Sequence, residues 1–305
     1  RAKNHHATYC EFYTKTMKDT EQLFQQQHIK QHFRRAAASY LAAAALQKEV
    51  EARLLEQADY LQQAPSRILD LGSGPGRASG LLKKKWPNAE VIAVDIAMPM
   101  LQKVPEHTRF WRPVKRVCAN AMQLPFHDNS FDLVFSSLCL QWAHPLPQAL
   151  REIRRVMRTD AMLLFSTFGP DTLIELREAY FAIGETPSIS PFAAIQQIGD
   201  SLQGNGFDKN VLDRENFNMS YPDLRSLMKE LHAIGATDAR VDRKRGLMGK
   251  NRWQALNAAY PKNAGHVYST WEVISAMAFK RKEKTNVADA IIASISPDQI
   301  TRRIR

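Results

Sequence analysis

The sequence has 305 residues, with 42 Lys+Arg against 31 Asp+Glu and a formal charge of +11. At 44% hydrophobic and 24% charged, it has the balance of a globular chain with a substantial core, which excludes disorder over most of its length. No run approaches about 18 consecutive apolar residues. Three scattered cysteines without a Cys-x-x-Cys pair argue against a disulfide framework or a structural zinc site and fit a reducing compartment, here the cytoplasm.

No charged segment followed by an apolar one opens the sequence, so no secretory signal is expected in it. Residues 1–28 are polar with scattered aromatics and read as an N-terminal arm or short helix. Residues 29–61 read as helix. Alanine is dense there, and Leu46, Val50, Leu54 and Leu61 recur at helical spacing. Strand and helix signals then alternate. Residues 67–71, 90–95, part of 110–119, 131–136 and 161–167 read as strands. Residues 78–86, 99–104 and 147–157 between them read as helices. That order predicts an α/β fold with a parallel, doubly wound sheet. Beyond residue 168, helices are expected over 172–183, 192–202, 222–234 and 251–259, with strands over 211–220 and 266–279. Residues 280–305 form a basic tail.

The strongest motif is Leu69-Asp-Leu-Gly-Ser-Gly-Pro-Gly-Arg77, directly after the first strand and before a helix. Gly72, Gly74 and Gly76 let the backbone turn sharply and touch a ligand without Cβ interference. Their spacing departs from the dinucleotide fingerprint G-x-G-x-x-G. Pro75 has no N–H to give, and Asp70 repels phosphate, so a ligand with a positive group such as an amine suits the loop better. Asp95 ends the second strand, where a carboxylate can accept both hydroxyls of a ribose. Asn120 and Ala121 follow the third strand and could meet an adenine edge. For Asn120, spacing alone favours an ordinary loop role.

Together these segments, with Phe131-Asp-Leu-Val134, resemble the class I S-adenosylmethionine-dependent methyltransferases. The resemblance implies a seven-stranded Rossmann-like sheet, its last strand antiparallel, with an N-terminal helix and helical lid insertions. It also implies S-adenosylmethionine as cofactor without a metal. Asp70 would lie near the donor's ammonium, the glycine loop against its methionine part, and Asp95 on its ribose. Ile96, Asn120 and Ala121 would frame the adenine, and the backbone at Ser136 would lie near the methionine part.

Four further segments resemble the malonyl-acyl-carrier-protein O-methyltransferase family of biotin synthesis. They are Phe33-Arg-Arg-Ala-Ala-Ala-Ser-Tyr40, Ser136-Ser-Leu-Cys-Leu-Gln-Trp142, Ala149-Leu-Arg-Glu-Ile-Arg-Arg-Val156 and Leu231-His-Ala-Ile-Gly-Ala-Thr237. This implies one methyltransferase domain over 29–279, with lid or insertion segments at about 169–206 and 221–265. It implies methylation of the free carboxylate of malonyl-phosphopantetheine on an acidic acyl-carrier protein, with neither nucleic acid nor membrane involved. A carboxylate nucleophile is already ionised at neutral pH, so no general base is needed. Tyr40, Trp142 and Phe192 are the candidates for shaping the acceptor pocket, and each also fits a plain core aromatic.

A charge of +11 suits nucleic acid, an anionic membrane or an acidic protein. The segment 240–252 concentrates it, with six cations against one Asp. Arg240, Arg243, Lys244 and Arg245 are therefore candidates for carrier docking, and a solvated loop is the plainer alternative. Three other functions stay open on sequence: a complex I assembly factor of the same fold that modifies protein, an RNA methyltransferase, and a non-enzymatic cofactor-binding scaffold.

Overall fold

Short apolar runs spaced by amphipathic stretches fold into strands covered on both faces. The computed structural model describes residues 26–108, 111–187, 189–236 and 249–282. Its strands are β1 (Arg67–Leu71), β2 (Glu90–Asp95), β3 (Lys115–Cys118), β4 (Phe131–Ser136), β5 (Met157–Phe168), β6 (Phe207–Tyr221), β7 (Lys262–Asn263) and β8 (His266–Lys280). The sheet order is β3-β2-β1-β4-β5-β8-β6. β1 to β5 pair in parallel, and β8 runs antiparallel between β5 and β6. That is a doubly wound sheet as the sequence predicts, with the antiparallel last strand that the family resemblance implies. The addition is β7, which pairs with β8 through a two-residue turn. Both turn residues, Ala264 and Gly265, have positive φ (49° and 80°), the signature of a type I′ hairpin.

The period of two along each strand divides the core. Leu69, Leu71, Ile92, Val94 and Val134 point into one apolar cluster, and Ile68, Val91, Ala93, Leu133 and Phe135 into another. The first is covered by α6 (Leu146–Val156) and α8 (Ile195–Gly204). The second is covered by α3 (Ala45–Gln57), α4 (Arg77–Lys85) and α5 (Met98–Leu101). A third cluster joins α3 and β8 to α7 (Ile174–Ala182), α9 (Leu224–Ala233) and α10 (Lys250–Ala259) through Val50, Leu176, Leu227, Leu231, Leu256 and Trp271. The two segments read as insertions therefore share one apolar core. Asp223 starts α9 by accepting from the Ser226 amide at 2.7 Å, a standard N-cap.

Three expectations need correcting. The helix read over 29–61 is three pieces: α1 (Gln26–Ala36), α2 (Tyr40–Ala43) and α3. Ser39 breaks it by donating its hydroxyl to Ala36 O and Ala233 O, and Ala44 leaves the helical region with ψ of 47°. Secondly, α1 begins at Gln26, ahead of the helix start expected at residue 29. Finally, β5 starts at Met157, immediately after α6. Within 110–119, read to hold a strand, β3 takes four residues and borders the sheet. Among the described residues, no helix is long and apolar enough to cross a membrane.

Candidate active site

The glycine loop lies at the C-terminal end of β1, where open α/β sheets form their ligand crevice. Gly72 and Ser73 both donate to Val94 O, at 2.8 and 2.9 Å, so the loop is tied to β2. Gly72, Gly74 and Gly76 all have positive φ, but their surroundings differ. A Cβ on Gly72 would sit 2.2 Å from Cys139 Sγ, and one on Gly76 would sit 2.7 Å from Val104 Cγ2. A Cβ on Gly74 would meet nothing within 4 Å. Gly72 and Gly76 thus admit close packing, while Gly74 leaves open space over the loop.

Asp95 organises that space. Its Oδ2 accepts from the Gly74 amide at 2.9 Å and its Oδ1 from the Ala97 amide at 2.7 Å. Each carboxylate oxygen keeps a further lone pair. Burial raises its pKa to about 6, against the pull of the Ala97, Gly74 and Ile96 amides. The surrounding cavity, of about 200 Å³, is lined by Gly72, Gly74, Asp95, Ile96, Asn120 and Ala121 on the sheet side. Gln26, Ile29 and Phe33 of α1, Tyr40 of α2, and Ser137 to Pro145 except Leu140 and Gln141 form much of the rest. Phe33 meets Trp142 edge-on at 5.7 Å. This lining fits the donor: an open glycine, a strand-end carboxylate for hydroxyls, and apolar walls for an adenine.

The sequence candidates separate into those that line the cavity and those that do not. Tyr40 and Trp142 line it; Phe192 lines a neighbouring cavity of about 30 Å³ with Phe165 and Thr167, which shares Ala143 and His144 with the first. Asp70 and Ser136 do not line it. Asp70 is 1% exposed and accepts from Ser79 Oγ, while Ser136 Oγ donates to Leu71 O at 2.9 Å. The residues that follow Ser136, from Ser137 to Cys139, form the wall instead. Asn120 donates to Gln26 Oε1 at 2.9 Å, and its own oxygen accepts from the Met122 amide at 3.0 Å. Arg240, Arg243, Lys244 and Arg245 lie outside the described residues. Ile29, Phe33 and Cys139 were not picked out as site residues in the sequence. The i, i+4 spacing of Ile29 and Phe33 was the signal available for α1; nothing local marks Cys139.

The titratable groups near the cavity are mostly held neutral. Burial pushes the Cys139 thiol up to about 12 and raises Tyr40 further, with Asp95 and Glu51 adding to the rise. Burial lowers His144. Among the described residues, no group of three or more His, Cys, Asp or Glu could hold a metal.

Asp70 provides a test of this electrostatic layout. Burial raises its pKa from 3.8 to about 7, against the Ser79 hydrogen bond. Folding therefore favours the protonated acid. The destabilisation is absent below about pH 4, grows between about pH 4 and 7, and is complete above that. Asp70→Asn keeps an acceptor for Ser79 and removes the charge. Its cofactor-free Tm should fall less than the parent's between pH 5 and 8. Thermal unfolding at constant ionic strength measures this; identical pH profiles for the two proteins contradict it.

Comparison with known proteins agrees with the fold. A profile described as a methyltransferase domain matches residues 69–165. The malonyl-[acyl-carrier protein] O-methyltransferase of Xylella fastidiosa is 46% identical over 93% of this chain and 98% of its own. That of Gallionella capsiferriformans is 40% identical over 88% and 95%. Among solved structures, the YcgJ protein of Bacillus subtilis has a TM-score of 0.53 at 17% identity, covering 75% of this chain and 98% of its own. Haemonchus contortus phosphoethanolamine N-methyltransferase 2, solved with S-adenosyl-L-methionine, has a TM-score of 0.52 at 18% identity, covering 81% and 57%. The protein is an S-adenosylmethionine-dependent methyltransferase of the Rossmann-like class. Within that class it belongs to the malonyl-[acyl-carrier protein] O-methyltransferase family.

Proposed function

We propose that this chain methylates the free carboxylate of malonyl-acyl-carrier protein, an early step of biotin synthesis in the cytoplasm. The observation that carries the reading is the extent of the kinship. It covers 93% of the chain, and so includes the helical segments beyond residue 168 as well as the cofactor-binding half. No metal, nucleic acid or membrane enters the reaction.

S-adenosylmethionine, when bound, supplies a methyl group on a positive sulfonium. In this reading Asp95 accepts from the ribose hydroxyls. Gly72 and Gly74 admit the methionine part, and Ile96, Asn120 and Ala121 frame the adenine. Asp70, Gly76 and Ser136 support the loop from beneath. Tyr40 and Trp142 shape the acceptor side of the cavity, and Phe192 shapes the adjoining one. The malonyl carboxylate is ionised at pH 7. Its oxygen forms the new C–O bond as the S–CH3 bond breaks, the two opposite charges cancel, and no proton moves. The residues therefore have to align the reactants and exclude water. Neutral Tyr40 and Cys139 serve that purpose, since neither competes for the methyl group as an anion.

The test is transfer of labelled methyl from the donor, with malonyl-carrier protein, malonyl-coenzyme A and RNA offered in parallel. Label should enter the malonyl substrates and leave as methanol on mild base treatment, as an ester does. Label in RNA, base-stable label in protein, or no transfer by a protein that binds the donor would each overturn the reading.

A further inference from the structure

The helix that walls the cofactor cavity has a second face. Gln26, Ile29 and Phe33 of α1 line the cavity, while Lys30, Arg34 and Arg35 are exposed. Its sequence, QQHIKQHFRRA, contains no acid. Lys30, Arg34 and Arg35 make no ion pair or hydrogen bond among the described residues. Lys30 and Arg34 are one turn apart and so lie on one side.

The C-terminal end of α9 abuts the C-terminal end of α1. Ser39 Oγ donates to Ala233 O at 3.0 Å. A Cβ on Gly235 would stand 3.2 Å from Phe33 Cδ1 and 3.3 Å from Ala36 Cβ. Arg225, Lys229 and His232 are exposed along α9, at spacings of four and three, hence on one face. Basic side chains are thus exposed on two helices that meet at their C-terminal ends.

We propose that the outer face of α1, continued by the exposed face of α9, docks the acidic carrier protein. This rests on the function proposed above, and charge complementarity selects the occupant. A carrier seated there is one helix width, about 10 Å, from the donor cavity, and its flexible prosthetic arm can cross that layer. The other large basic groove is a poorer candidate. It is lined by Arg151, Arg154, Arg155, Lys280 and Lys282 and lies at the start of β5, whereas the cavity lies at the strands' opposite ends. Its charge is also partly neutralised internally, since Arg155 pairs with Asp128 and Glu152, and Lys282 with Asp160.

The test is the triple reversal Lys30→Glu, Arg34→Glu, Arg35→Glu in the full chain. A control reversing Lys84, Arg112 and Arg151 makes the same change in net charge elsewhere. Carrier affinity is measured by titration at two salt concentrations, alongside turnover of malonyl-carrier protein and of malonyl-pantetheine. The α1 variant should bind carrier about 10-fold more weakly or worse, with a flattened salt dependence. Its KM for malonyl-carrier should rise in step, while its donor affinity and malonyl-pantetheine turnover hold. The control should behave as the parent does. Unchanged carrier affinity, an equal effect in the control, or equal losses on both malonyl substrates overturns the proposal. So does an RNA oligomer that binds the α1 face in place of the carrier. A parent that binds carrier through α1 but methylates neither malonyl substrate refutes the proposed reaction and leaves the docking face standing.

Discussion

Gly72→Ala is expected to weaken donor binding by about 100-fold, close to 2.7 kcal/mol, and to lower stability as well. The two effects have separate causes. The backbone at Gly72 has φ of 73°, which costs an L-residue about 1–2 kcal/mol. That strain exists with or without donor, so it appears in the Tm and not in the affinity. The new Cβ would also stand 2.2 Å from Cys139 Sγ and 2.4 Å from its Cβ. Cys139 lines the donor cavity and has to shift. Overpacking of this kind costs about 1–3 kcal/mol, and the displaced side chain narrows the space the methionine part requires. Cys139→Gly removes both clashing atoms and leaves only the backbone Cα at 3.7 Å. The double variant should therefore recover most of the donor affinity while keeping the lowered Tm. Isothermal titration and thermal unfolding of the parent, both single variants and the double variant separate the terms. Donor affinity within about 3-fold of the parent in Gly72→Ala would sink the account.

The contrast between Gly72 and Asp70 shows what the sequence could and could not reveal about this site. The glycine loop was legible because its constraint is local: three positive-φ positions between a strand and a helix need glycine whatever surrounds them. The limits of β1, β2 and β4 were legible for a similar reason. Continuous apolar runs closed by a turn or an acid define a buried parallel strand. Asp70 was harder. Its place in the motif suggested contact with the ligand, but side chains alternate along β1, and it turns instead to Ser79 on α4. The break at Ser39 was hidden because alanine tolerates helix throughout, and the carbonyl that accepts the Ser39 hydroxyl belongs to Ala233, far along the chain. β7 was missed because a two-residue strand has no periodicity. Its signal was the Asn263-Ala-Gly265 turn. The cavity wall from α1 and Cys139 depends on tertiary packing, which no local pattern encodes.

Asp95 carries the other large effect, and its sign with pH follows from the geometry. Both carboxylate oxygens accept backbone amides, from Gly74 and Ala97, and would accept ribose hydroxyls with their remaining lone pairs. Charge-assisted hydrogen bonds of this kind contribute about 1.5–3 kcal/mol each. Asp95→Ala should therefore weaken donor binding by about 100-fold or more. Asp95→Asn should be nearly as damaging despite its shape. One of its two positions becomes an NH2 group that confronts an amide N–H, either of Gly74 or of Ala97, so the loop loses an anchor as well. In the parent, burial raises the Asp95 pKa from 3.8 to about 6. Ionisation of the empty site thus costs stability, which declines between about pH 4 and 6 from this group. Donor affinity runs the other way. Only the carboxylate can accept from both hydroxyls, so affinity should be level above about pH 6 and fall by up to tenfold per unit below it. Binding itself pulls the pKa down, because the hydroxyls stabilise the charged form. Asp95→Asn has nothing to titrate, so its weak affinity should show no such break. Titrations from pH 5 to 8 read both profiles. A parent affinity flat across pH 6, or a break retained in Asp95→Asn, would remove Asp95 from the ribose.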